Sequence, residues 1–289
     1  MKEGLIVKAK YGVYSIISDD NTYECKKRGS LSKDKKNIFV GDYVVFDEND
    51  LMINDVKERK SLLKRPSIAN IDQLLIIFSL REPEFSYYLA FKYITYANKY
   101  GIDSKLILTK TDKDVPIEEI KNIKDTFNKV GIDVYALSNK SMEGINEVRE
   151  LFKDKISCLI GQSGVGKSSL INAIDKDFKR SEGEYSIALG RGKHETKETV
   201  LLPYQGGYIA DTPGFSSLDL ELYKEDLAKF FPGFTSRFEK CYFADCLHIS
   251  EHKCEVKKDL ENNLIPKIAY ETYLKLSSDA ISYIRRYQK

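Results

Sequence analysis

No apolar run in this chain approaches the roughly 20 residues that cross a bilayer, and residues 1–7 (Met-Lys-Glu-Gly-Leu-Ile-Val) lack the apolar core of a signal peptide. Both absences predict a cytosolic protein with no membrane partner. Glycine (17) and proline (7) are too few among 289 residues for a fibrous or low-complexity chain, and 42% hydrophobic with 31% charged residues is an ordinary globular composition. Charge of one sign is also lacking: the net +2 argues neither for nor against nucleic acid. Cysteine is scarce and odd in number, five in all, yet three lie between 241 and 254. Without a secretion signal, that clustering favours a metal over disulfides.

The most informative stretch is 156–175. Ile156-Ser-Cys-Leu-Ile160 reads as a buried strand and Leu170-Ile-Asn-Ala-Ile174 as helix. Between them Gly161-Gln162-Ser163-Gly164-Val165-Gly166-Lys167-Ser168-Ser169 fits the phosphate-binding pattern G-x-x-x-x-G-K-[ST]. Its glycines permit backbone angles that turn successive N–H groups toward an anion, and the helix adds its N-terminal partial charge. Lys167 is then expected on the β- and γ-phosphates and Ser168 on Mg²⁺.

The chain around this stretch divides into three expected domains. Residues 1–63 hold about five short alternating runs separated by turn residues such as Asp19-Asp20-Asn21, which suits a small OB-type β-barrel. Its Lys26-Lys27-Arg28 and Lys33–Lys36 loops, beside Tyr23 and Tyr43, suit nucleic acid. Residues 57–66 read as a charged linker. From 64 to 222 strands (72–79, 105–108, 133–137, 156–160, 207–210) alternate with helical patterns (86–100, 116–130, 141–153), predicting a parallel sheet covered by helices. Residues 223–289 hold the cysteines and a helical remainder over 256–286.

Ligands in open parallel sheets lie beyond the carboxyl ends of the strands. Those ends carry Thr109-Lys110-Thr111-Asp112, Ser138-Asn139, the phosphate loop, and Asp211-Thr212-Pro213-Gly214. Together they match the motif set of GTP-binding proteins. An ionised Asp112 accepts both the N1–H and the N2 amino group of guanine, and the Lys110 stem covers the base. Asp211 would hold the Mg²⁺ shell and the Gly214 N–H would meet the γ-phosphate. The order is unusual: base-recognition motifs precede the phosphate loop, so the domain reads as circularly permuted. Residues 181–199, charged and aperiodic, suit a segment that orders around the γ-phosphate.

Cys241, Cys246 and Cys254 with His248 or His252 can enclose one tetrahedral Zn²⁺ with no open position, a structural site.

With these features the chain resembles the circularly permuted, ribosome small subunit-dependent GTPases of the RsgA (YjeQ/YloQ) type. The resemblance rests on the permuted order, Arg28-Gly29, Val40-Gly41-Asp42, residues 63–72 (Leu-Lys-Arg-Pro-Ser-Ile-Ala-Asn-Ile-Asp), Gly190-Arg-Gly-Lys-His194 and the cysteine cluster. It implies a monomeric late factor in 30S subunit assembly that contacts 16S rRNA and leaves on GTP hydrolysis. It selects His248 as the fourth zinc ligand, places His194 as the group orienting water, and puts a Mg²⁺-ligating threonine at Thr196 or Thr199, with Thr196 keeping the family's distance from His194. Glu195 and Asn139 depart from the family pattern, and Phe215 stands where Ras-like proteins carry a glutamine. Hydrolysis is expected to be slow alone and stimulated by the particle. Two other readings fit fewer residues. A P-loop ATPase or kinase leaves Asp112 without a role, and an RNA-binding protein that only responds to nucleotide leaves Lys167, Ser168 and Asp211 without one.

Overall fold

The computed structural model describes residues 1–29, 37–64, 67–174, 199–211 and 222–280. In chain order, five strands come first: β1 (Lys2–Lys10), β2 (Val13–Ser18), β3 (Asn21–Lys27), β4 (Tyr43–Asp47) and β5 (Met52–Val56). A pair, β6 (Leu62–Lys64) and β7 (Ser67–Ala69), leads into β8 (Gln73–Ser79), α1 (Tyr87–Lys99), β9 (Asp103–Thr109), α2 (Ile117–Asn128), β10 (Val134–Ala136), α3 (Ile145–Glu150) and β11 (Ile156–Ile160). Then follow α4 (Lys167–Ile174), β12 (Val200–Tyr204), β13 (Gly207–Asp211) and the helices α5 (Lys224–Phe230), α6 (Thr235–Phe238), α7 (Glu255–Glu261) and α8 (Lys267–Asp279). The described residues group into two compact units. One takes Met1–Leu74, Asn146–Ile160 and Ser168–Leu218, the other Leu75–Ile145, Gly161–Lys167 and Asp219–Lys289.

In the first unit the five N-terminal strands close in the order β1-β2-β3-β5-β4 and back to β1. All pairs are antiparallel except β3 with β5, the strand order of an OB-type barrel. Ile6, Ile16, Cys25, Val44, Phe46 and Ile53 form one buried cluster; β3 alternates most clearly, with Glu24 and Lys26 exposed on either side of Cys25, whereas Leu5 and Val7 beside Ile6 are buried too. Gly4 is required where β1 crosses β2, because a Cβ there would lie 2.4 Å from Ile16 Cγ2. Burial pushes the Cys25 thiol up to about 11, so it is an inert core group.

Residues 57–66 are more than the expected linker. Leu62–Lys64 pairs antiparallel with Ser67–Ala69, and Arg59 forks onto the fully buried Asp42 carboxylate at 2.6 and 2.9 Å. Asp42 also accepts the Phe39 N–H at 2.8 Å. Beside it Gly41, at φ +89°, would place a Cβ 2.1 Å from the Ala69 carbonyl, so only glycine fits. Asp42→Ala leaves Arg59 and the Phe39 N–H without their acceptor. We expect the variant to lose about 3 kcal/mol in denaturant unfolding, and a loss below about 1 kcal/mol would show the pair to be dispensable.

The sequence pattern did not predict β12. It forms a tight hairpin with β13 through Gln205 and Gly206, both at positive φ, and touches β1 at Lys8–Val200. β13 runs parallel to β11, with Ala210 opposite Cys158, so Asp211 closes its strand level with the end of β11.

In the second unit β10, β9 and β8 are neighbours, β9 and β10 parallel as expected. An aromatic column fills the space behind them. Phe127 stacks on Phe91 (centroids 4.7 Å), Phe91 on Phe231 (4.9 Å), and Phe231 meets Phe234 (4.8 Å). The stretch expected to be helical, 256–286, holds two helices over its described part, α7 and α8, with α8 beginning after Pro266, which has no N–H to continue a helix but starts one well. Ile265 and Leu276 are buried, whereas Ile268 and Leu274 are exposed. The buried stripe is Ala269, Thr272, Tyr273 and Leu276, at i, i+3, i+4 and i+7, and Tyr273 is its anchor. Lys33–Lys36 and the end of the expected helical stretch, 281–286, lie outside the described residues. Among the described residues no helix is long and apolar enough to cross a membrane.

Candidate nucleotide site and metal centre

Gly161 leaves β11 with no room for a side chain: a Cβ would lie 2.3 Å from the Ile77 carbonyl oxygen. Gly164 and Gly166 both have positive φ (+80° and +97°), the angles that turn backbone N–H groups into an anion-binding concavity. Gln162, Ser163 and Val165 complete the loop, Val165 buried as its apolar anchor. Lys167 opens α4, and its half-buried ammonium donates to the Gly161 carbonyl and, at 2.7 Å, to that of Gln162. Burial pushes its pKa below the usual lysine range, which favours any arrangement that sets an anion beside it. Ser168 and Ser169 follow on the exposed first turn.

The residues expected to recognise a base stand in the same unit. Thr109, fully buried, donates its hydroxyl hydrogen to the Val165 carbonyl at 2.6 Å, joining the end of β9 to the phosphate loop. Asp112 is exposed, and its carboxylate accepts the Ser138 hydroxyl at 2.6 Å. That bond first, and the nearby Lys140 and Lys113 charges after it, hold Asp112 below the usual carboxylate range. Ser138 in turn accepts the Lys140 and Ser141 N–H groups at 3.1 Å. Asn139 lies against the loop: a Cβ on Gly166 would be 3.3 Å from its amide nitrogen. Lys110, at φ +60°, donates its ammonium to the Glu82 carbonyl.

This last contact shows a segment that sequence reasoning missed. Residues 80–86 leave β8 and flank the phosphate loop: Pro83 Cδ is 3.9 Å from a Cβ on Gly164, and Ser79 donates to the Pro83 carbonyl at 2.6 Å. The end of β8 is one more carboxyl strand end, and the rule applied to the others would have found it. Asp211 closes β13, while His194, Thr196 and Gly214 lie outside the described residues and Thr199 immediately precedes β12.

Lower in the same unit, Cys241, Cys246, His248 and Cys254 bring one donor atom each to within 4.8 Å of one another. His248 Nδ1 is 3.3 Å from the Cys254 sulfur and 3.6 Å from that of Cys241. Its Nε2 lies 3.0 Å from the Ala228 carbonyl, a contact that sets the tautomer leaving Nδ1 as the ligating nitrogen. His252 is exposed and outside the cluster. Burial pushes Cys246 up to about 12 and raises Cys254, which favours the neutral thiols until a bound cation displaces their protons. Three sulfurs and one imidazole in a closed, buried group fit a structural zinc.

Two family models match the chain: that of the RsgA N-terminal domain over residues 3–52 and that of the RsgA GTPase over 56–221. The second alone covers more than half of the sequence. The chain belongs to the RsgA GTPase family. It is 39% identical to a small ribosomal subunit biogenesis GTPase RsgA 2 of Oceanobacillus iheyensis, covering 99% of this chain and all of that protein. It is 37% identical to the RsgA of Bacillus subtilis, over 96% and 97% of the two chains. Among solved structures it matches YjeQ from Thermotoga maritima (TM-score 0.82, 30% identity, 96% and 98% covered) and YloQ, a circularly permuted GTPase (0.79, 33%, 96% and 94%). The RsgA GTPase is a GTP hydrolase, and the permuted motif order read from the sequence is that of this fold.

Proposed function

We propose that this chain binds GTP with Mg²⁺ and hydrolyses it in the cytoplasm as a monomeric factor of small ribosomal subunit biogenesis, contacting the 30S particle and its 16S rRNA. The observation that carries the nucleotide reading is the Asp112–Ser138 pair beside the Thr109–Val165 bond, an acceptor-only group held at a fixed place relative to the phosphate loop. In this reading the loop from Gly161 to Ser169 cradles the phosphates and Lys167 neutralises them. Ser168, Asp211 and Thr196 ligate Mg²⁺, Gly214 meets the γ-phosphate, and His194 orients water. Residues 1–63 serve as an RNA-binding barrel, 64–222 as the GTPase domain and 223–289 as a metal-stapled module. Magnesium, when bound with GTP, supplies charge stabilisation for phosphoryl transfer. Displacement of a fluorescent GDP analogue tests the base assignment: GTP should compete at least about 100-fold better than ATP, and equal competition would overturn it.

Cys241, Cys246, His248 and Cys254 hold one zinc in the same reading. The purified chain should carry one zinc per molecule, and Cys254→Ser should lower this to none. Its melting temperature should fall by more than about 10 °C. Full zinc content in that variant would remove Cys254 from the ligand set.

A further inference from the structure

Residues 63–72 carry part of the family resemblance, and the nucleotide reading leaves them without a role. Their contacts join the barrel to β11. Asn70 is buried at φ +57°, a left-handed angle that asparagine tolerates better than most residues. Its Nδ2 donates to the Gly41 carbonyl of the barrel at 2.8 Å, and its Oδ1 accepts the Lys60 N–H at 2.9 Å. Beside it the Ala69 N–H donates to the Val40 carbonyl at 2.9 Å. Two residues on, Asp72 holds the first residue of β11. Its carboxylate accepts the Ile156 N–H at 2.7 Å, and its own N–H donates to the Ile156 carbonyl at 2.9 Å. Gln73 then donates to the Ser157 hydroxyl at 2.8 Å. β11 is buried at all five residues and runs directly into Gly161.

We propose that Asn70 and Asp72 are positioning residues for GTP turnover, passing a change in the barrel to the strand that leads into the phosphate loop. Asn70 fixes one end of this short segment to the barrel, and Asp72 fixes the other to β11. Only Ile71 lies between them, itself buried, with its carbonyl accepting the Ser61 hydroxyl at 2.9 Å. A shift of Val40–Asp42 is therefore felt at Ile156. Close-packed, hydrogen-bonded elements of this kind pass strain on, and energetic coupling between distant sites runs through them. A second route exists: β1 meets β12 at Lys8–Val200, which bypasses both residues. The inference rests on the ribosomal reading proposed above, in which a particle that engages the barrel raises turnover.

The test is steady-state GTP turnover, with and without purified 30S subunits, on the full-length chain and on Asn70→Ala, Asp72→Ala and Asp72→Asn. In the two alanine variants the factor by which 30S raises kcat should fall about tenfold, a typical size for coupling between sites. Their particle-free kcat and KM, and their 30S affinity in a pelleting assay, should stay within about threefold of normal. Asp72→Asn still offers an oxygen to the Ile156 N–H and loses only the ion pair with Lys60, so it should keep the stimulation. Stimulation retained in both alanine variants, even with a lower melting temperature, would overturn the inference and leave the Lys8–Val200 route. Loss that accompanies equal loss of 30S affinity or of particle-free turnover would also overturn it, by showing a role in binding or stability. A deficit in Asp72→Asn as large as in Asp72→Ala would overturn the role of the Ile156 bond. No stimulation of the unmodified chain would instead overturn the ribosomal reading beneath it.

Discussion

Replacing Asp112 by asparagine is expected to exchange the preferred base, from guanine to xanthine. The carboxylate is acceptor-only and, in the proposed reading, takes two adjacent donors, N1–H and the N2 amino group. An asparagine amide turns one donor toward that edge and sets its NH₂ against the guanine amino group. Xanthine carries an oxygen at C2 in place of the amino group, so it offers one donor and one acceptor, the complement of the amide. Hydrogen bonds to a charged group contribute about 1.5–3 kcal/mol, and the variant loses one and gains a donor–donor clash. GTP affinity should therefore fall on the order of 10²–10³-fold while XTP affinity rises by a similar factor. The Ser138 hydroxyl, 2.6 Å from the carboxylate, still finds an oxygen in the variant, so the loop geometry survives the change. Unchanged GTP binding by Asp112→Asn would show that the base edge lies elsewhere.

The second large effect concerns Lys167. Removing a cation that neutralises transferring phosphoryl oxygens costs several kcal/mol of transition-state stabilisation, so Lys167→Ala should lower GTP turnover on the order of 10³-fold. Folding is not the cause. Among the described residues the half-buried Lys167 ammonium meets carbonyls of its own loop, and burial lowers its pKa, so the charge adds no stability there. The variant should accordingly melt no lower than the unmodified chain. Turnover within tenfold of normal would remove Lys167 from the phosphate site, and a fall in melting temperature would reassign it to stability.

Features encoded within a few neighbouring residues were legible in the sequence. The strand, glycine loop and helix around Gly161–Ser169 carry their pattern locally, as do the barrel strands, whose alternation is set by one buried face. The cysteine spacing delimited a metal cluster but left His248 and His252 open. The backbone decides between them by burying His248 against Ala228 and leaving His252 exposed. Features set by tertiary contacts were not legible. β12 is five residues beside a charged stretch and contains Pro203, and it exists because β13 and β1 flank it. The Thr109–Val165 bond joins residues 56 apart, and no local signal announces it. The burial of Tyr273 rather than Leu274 in α8 follows from which face meets Phe231 and Phe234, aromatic partners contributed from outside that helix.

The measurement that most directly tests the account is phosphate release from GTP and from ATP, each with and without purified 30S subunits. Hydrolysis selective for GTP and raised strongly by 30S is the predicted result, because base recognition and particle dependence are proposed of the same chain. Hydrolysis of ATP at an equal rate would contradict the nucleotide assignment. GTP hydrolysis indifferent to 30S would contradict the ribosomal role and leave the barrel at residues 1–63 in need of another target.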